Sequence, residues 1–251
     1  MSEVIFFMTI GLVILGIVAI LIFFGVTEKF FRKIGLSNFF AFLVVLALVI
    51  GAVVPNIKIG SAFEMNVSGF LIPVLLVVIF SAILGANSDL SRAYIAMVAV
   101  AGVAVATGML ISNTTLAGQI TASVIMGFVG GAVAYLIAST RLSTLIASIG
   151  GIVLGDIIVS LLNYYVVSSA AVSSVSLGTL GTFDAIIIAA VFGIVMVEAV
   201  AAMKRTVSRK RVAGSALSME ISEENDLSGM EMSTVVREDE FDDYFAGDEK
   251  K

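Results

Sequence analysis

The amino-acid sequence predicts an all-α, polytopic membrane bundle of about seven helices, followed by a polar tail. Three observations carry this expectation. Of 251 residues, 59% are hydrophobic and 13% charged, with a mean hydropathy of +1.13; soluble chains run about 45–50% apolar and about 25% charged. Seven apolar runs approach or exceed the length that crosses a hydrocarbon core of about 30 Å at roughly 1.5 Å per residue. From Lys204 onward the composition turns polar and charged. The chain therefore divides into a transmembrane domain over 1–203 and a cytosolic segment over 204–251.

The first run, 4–26, resembles a signal peptide only in position. A signal peptide carries its basic residues before a shorter apolar stretch, whereas here Lys29, Arg32 and Lys33 follow the run. A retained span fits better. The remaining spans are read at 38–55, 65–85, 93–111, 121–138, 146–166 and 185–203. The second, fourth and fifth are short, so their ends are expected to take in neighbouring polar residues. Pro73 lacks a backbone N–H and is expected to kink the third span. Small residues recur at four-residue spacing, in Gly127 and Gly131, in Gly151 and Gly155, and in Ala185, Ala189 and Gly193. Such rows let helix backbones approach closely.

Alternating the loops sets the orientation. Lys29, Arg32, Lys33, Arg92, Arg141, Lys204, Arg205, Arg209, Lys210 and Arg211 fall on one side, and Lys58 alone on the other. The positive-inside rule then places the N-terminus outside and the C-terminus inside, in the cell membrane.

The chain has no Cys and no His, which excludes disulfides, thiol nucleophiles, His general bases, Cys- or His-ligated zinc and haem held by either residue. No catalytic constellation, metal site or cofactor is expected, and nothing in the spans suits a nucleic acid. Chemistry must come from polar groups inside the membrane. Asp156 lies ten residues from either end of its span, about 15 Å from each surface. An Asp at a helix centre costs roughly 2.5–3.5 kcal/mol on insertion scales, and such residues face the bundle interior or a wet cavity. Ser160 and Asn163 follow at i+4 and i+7 on the same face. Asp156 is thus a candidate proton carrier; the alternative is a hydrogen-bonded lock between helices.

Three further residues complete the set. Asn66 opens the third span near the outer surface. Asp184, at the outer end of the seventh span, serves either the site or the N-terminus of its helix, where the dipole favours a carboxylate. Glu198, nearly four turns further on, is a secondary candidate or a side chain that reaches out toward Lys204 and Arg205.

Three stretches, NVSGFLIPVLL (66–76), GGIVLGDIIVSLLN (150–163) and LGTLGTFDAI (177–186), resemble signature segments of the DUF1614 family of prokaryotic multi-pass membrane proteins of unknown function. Matched residue by residue, the resemblance points to Asn66, Gly69, Pro73, Asp156, Asn163, Gly181 and Asp184. The sequence departs from the pattern at Ser68 and Ala185, where the family would carry Gly. The resemblance covers roughly 38–203 and implies which residues matter without implying a reaction.

The leading functional expectation is a small secondary transporter or proton-coupled permease, with Asp156 as the coupling site and Asn66, Asn163, Ser160 and Asp184 along its approach. A membrane scaffold or sensor acting through the tail is the alternative. An intramembrane aspartyl protease built on Asp156 and Asp184 ranks third, because their separation in depth precludes a shared proton. In the tail, Lys204, Arg205, Arg209, Lys210 and Arg211 would meet anionic lipid at about 1 kcal/mol each. Residues 212–236 are expected to be disordered. Phe241, Tyr244 and Phe245 would form one aromatic helix face that docks on a cytosolic protein, unless the acidic tail is a solvated spacer. Homo-oligomer formation stays open.

Overall fold

The computed structural model describes residues 9–24, 37–59, 63–111, 115–166, 175–178 and 181–206. Two compact units divide the chain, Met1–Glu198 and Ala199–Lys251; the second is described only over 199–206. The elements are α1 (Thr9–Phe23), α2 (Asn38–Val53), the strands β1 (Ile57–Ile59) and β2 (Phe63–Met65), a π-helical turn (Val67–Leu71) running into α3 (Ile72–Leu84), α4 (Ser88–Leu110), α5 (Leu116–Ala138), α6 (Arg141–Tyr165), β3 (Val175–Leu177) and α7 (Gly181–Thr206). The π turn with α3, and α4 to α7, are five helices long and apolar enough to cross a membrane. α1 and α2 are apolar but shorter, at 15 and 16 residues. Large side chains such as Leu75, Val78, Ile95 and Val98 point outward, a surface that a soluble monomer rarely tolerates. The chain is thus built as a helical integral membrane protein.

Local chemistry sets the helix ends. Ser37 accepts a hydrogen bond from Phe40 N–H at 3.1 Å and opens α2; Thr115 accepts one from Gly118 N–H at 3.2 Å and opens α5. Both satisfy first-turn donors that the helix itself leaves unpaired. Two of the three short spans lengthen into polar sequence: α4 begins at Ser88 and α5 at Leu116, several residues before their apolar runs, whereas α2 ends at Val53, inside the 38–55 expected. Pro73 stands at the second residue of α3, directly after the π turn, and is fully buried. There the Leu71 N–H reaches Asn66 O at 3.3 Å and the Ile72 N–H reaches Val67 O. These wider i→i−5 bonds precede the proline, whose ring crowds the carbonyl four residues back. The irregularity expected at Pro73 is therefore a change of helix type at the start of α3.

α6 is the centre of the bundle. Every side chain from Leu142 to Val153 is buried, and Ile146, Ile149 and Ile152 share one apolar core with Leu76 and Phe80 of α3 and Val100 of α4. A Cβ at Gly151 would fall 2.5 Å from Val100 Cβ, and one at Gly155 would fall 2.4 Å from Ala104 Cβ. The small-residue row on α6 thus seats α4. The other two rows seat one another: a Cβ at Gly131 of α5 would lie 2.8 Å from Ala189 O of α7. A second cluster joins Leu15 and Ile22 of α1, Ala41 and Val45 of α2, and Phe183 and Ile187 of α7.

The three short strands form one sheet in the order β1-β2-β3. β1 pairs antiparallel with β2, Lys58 opposite Glu64, and β2 pairs parallel with β3, Glu64 opposite Ser176. β3 lies between the spans expected at 146–166 and 185–203. Its strand character was hidden because three residues, Val-Ser-Leu, are too few for a period to show.

Candidate functional site

The site assembles where two helices begin and one passes through. Asp156 sits nine residues before Tyr165, the end of α6, about 13–14 Å along the axis. Gly178 N–H donates to its Oδ2 at 2.7 Å, and the Thr182 hydroxyl donates to its Oδ1 at 2.8 Å. The end of β3 and the start of α7 therefore lie at the depth of Asp156, well inside the bundle. Backbone that is not helical survives at such depth only where it is buried in protein or lines a wet cavity. Here it does both. Ser160 Oγ donates to Ser176 O at 3.0 Å, one turn above.

The π turn approaches the same point from the other side. Asn66 caps it, accepting from Gly69 N–H and from Ser68 Oγ, each at 2.8 Å, and donating through Nδ2 to Asn56 Oδ1 at 2.9 Å. Asn66 N–H donates to Leu177 O at 2.9 Å and so extends the β2–β3 pairing. Gly69 and Gly178 then touch backbone to backbone: a Cβ at Gly69 would stand 2.2 Å from Gly178 O. Gly178 also has φ +73°, a conformation open to glycine at little steric cost.

Around this junction lies a cavity of about 740 Å³. Asp156, Ser160 and Asn163 of α6 line it, with Asn66 and Glu64 from the sheet side. Asn56, Gln119, Ser123 and Thr182 add further polar groups. Ala104, Gly108, Met126, Ile152 and Val159 supply the apolar wall. Glu64 is paired with Lys58 at 3.1 Å, whereas Asp156 has no cationic partner among the described residues. No group of three or more acidic side chains placed to hold a metal occurs among them either.

Four of the expected site residues, Asp156, Ser160, Asn163 and Asn66, thus meet at one cavity. Asp184 does not line it. Asp184 stands three residues after Gly181, the first described residue of α7, buried beside a small cleft that adjoins the cavity and shares Gln119, Ser123 and Gly181 with it. Thr182, not Asp184, is the α7 side chain that reaches Asp156. Glu198 pairs with Arg141 at the start of α6. Lys204 and Arg205 are exposed on the last turn of α7. Arg209, Lys210, Arg211, Phe241, Tyr244 and Phe245 lie outside the described residues.

The chemistry available to Asp156 follows from its two partners. Both oxygens accept, so the carboxylate form is fully compatible with its donors. A backbone N–H can only donate, but a hydroxyl can rotate and accept instead. A protonated Oδ1 could therefore donate a hydrogen bond to the Thr182 oxygen while the Gly178 bond to Oδ2 persists. No family model, curated protein or solved structure matches the chain.

Proposed function

We propose that the protein is a small secondary transporter or proton-coupled permease in which Asp156 is the coupling group. The observation that carries this reading is a carboxylate inside the bundle, open to a polar cavity of about 740 Å³ and held by the Gly178 N–H after β3 and the Thr182 hydroxyl near the start of α7. Transporters place their sites at such points, where helices are interrupted near the middle of the membrane and non-helical backbone lines the cavity. With the N-terminus outside, the sheet and Lys58 face the exterior, and Arg141 with Glu198 lies toward the cytosol. The cavity is then the external approach, and the helices beyond Asp156 close the cytosolic side.

Proton uptake into liposomes carrying the full chain, driven by an imposed pH gradient, tests this reading. The expected result is uptake by the wild type that Asp156→Asn abolishes, since Asn keeps hydrogen bonding but carries no proton. Asp156→Asn transporting like the wild type would remove Asp156 from the coupling role. An inert wild type would favour the reading in which the membrane domain is a scaffold for the tail.

A further inference from the structure

We infer that the cargo of the cavity is a small organic cation, whose ammonium head meets Asp156 while its apolar body lies against Met126, Ile152 and Val159. This deepens the transport reading and rests on the same cavity. Charge comes first. The charged side chains on the wall are Asp156 and Glu64, and Lys58 already neutralises Glu64. No Lys or Arg lines the cavity among the described residues, so an anionic solute would meet a carboxylate with nothing to offset it.

The two helix starts do not reverse this sign. A helix N-terminus offers about half an elementary charge, and a side-chain oxygen already accepts a hydrogen bond beside each one. Asn66 takes the first donors of the π turn. Asp156 takes the Gly178 N–H that follows β3 and the Thr182 hydroxyl in the first described turn of α7. A carboxylate has about four acceptor directions, and Gly178 and Thr182 occupy two. The remainder of Asp156 is a net negative centre with room for a donor.

Size and wall chemistry then separate an organic cation from a bare metal ion. A hard metal cation asks for six or more oxygens at close range. No group of three or more acidic side chains gathers to hold one among the described residues, and one flank of the cavity is hydrocarbon. Ile152 and Val159 lie at i−4 and i+3 from Asp156, on the same face of α6. They give an apolar body a surface directly beside the charge. A volume of about 740 Å³ falls within the roughly 300–1,000 Å³ of small-molecule sites.

Binding of labelled benzylammonium to the purified full-length chain in detergent tests the inference, with benzyl alcohol and benzoate as competitors of the same shape. We expect saturable binding that benzyl alcohol and benzoate do not displace, and at least a tenfold loss in Asp156→Asn. Asn163→Lys leaves Asp156 in place but adds an ammonium to the cavity wall, and should weaken binding to a similar degree. Equal binding by both variants, displacement by benzoate, or no saturable binding would overturn the inference. The two readings fail separately. Asp156-dependent proton uptake without amine binding removes the organic cation and leaves transport. Asp156-dependent amine binding by a chain that moves no protons does the reverse.

Discussion

Gly69→Ala is the sharpest test of the junction that holds Asp156. The backbone of the π turn tolerates alanine, so the substitution adds one methyl group and nothing else. That methyl would meet Gly178 O at 2.2 Å and Gly178 C at 2.8 Å, and neither belongs to a flexible side chain. β3 must therefore shift by the better part of an ångström, straining the bonds from Asn66 N–H to Leu177 O and from Gly178 N–H to Asp156. Overpacking of this kind costs about 1–3 kcal/mol. For a chain of this size each kcal/mol moves the melting temperature by roughly 2–4 °C, so a fall of about 2–12 °C is expected. Gly102→Ala is the matched control, because a Cβ there meets nothing within 4 Å and a helix interior favours alanine by about 0.5–1 kcal/mol. Circular dichroism melts in one detergent would compare them. A Gly69→Ala melt that coincides with wild type and with Gly102→Ala would refute the close approach of turn and strand. The same shift withdraws a donor from Asp156, so proton uptake should fall together with stability.

Thr182→Val removes the hydroxyl donor to Asp156 at nearly constant shape; a hydrogen bond to a charged group contributes about 1.5–3 kcal/mol, and Thr182→Ser should restore both the melt and the proton uptake that Val loses. Arg141→Gln and Glu198→Gln each break the pair between α6 and α7; their side chains are 23% and 37% exposed, so a double-mutant cycle should return a coupling of only about 1 kcal/mol, and a coupling near zero would remove the pair as a tie. Because the chain has no native Cys, Ser174→Cys can be labelled without background; reaction with an impermeant reagent in intact cells is expected, and reaction only after permeabilisation would overturn the orientation. A 237–246 peptide should capture a cytosolic protein that its Phe241, Tyr244 and Phe245 triple-Ala counterpart does not; identical capture by both would reduce the tail to a spacer.

Much of the helical architecture was legible because long apolar runs leave few alternatives for the backbone in a membrane. Asp156 was legible for the same reason: a lone carboxylate in hydrocarbon is costly enough to announce itself. Its companions on α6 followed from the 3.6-residue period. Its real partners did not. Gly178 acts through a backbone N–H and a positive φ, and Thr182 through a hydroxyl. Both stand in the LGTLGTFDAI stretch, where the charge of Asp184 drew the expectation instead. Arg141 and Glu198 illustrate the same limit: 57 residues separate them, and only the antiparallel packing of α6 and α7 shows that they meet. The strands were hidden because each is three residues long and two of them bracket a helix-rich segment of more than a hundred residues. Each of the stretches 66–76, 150–163 and 177–186 contributes to the wall of one cavity, through Asn66, through Asp156, Ser160 and Asn163, and through Gly181 and Thr182.

The central claim is that a polar cavity reaches Asp156 from the sheet side of the membrane. Ser160→Cys tests it most directly, since Ser160 lines the cavity one turn from Asp156 and Cys closely matches its shape. The measurement is the rate of modification in intact cells by a charged, membrane-impermeant thiol reagent, with Val98→Cys on the outward apolar surface of α4 as the reference. The expected result is rapid labelling at Ser160→Cys, slowed by benzylammonium, with none at Val98→Cys. Equal silence at both positions would mean that Asp156 sits in a dry interior, and would contradict the account.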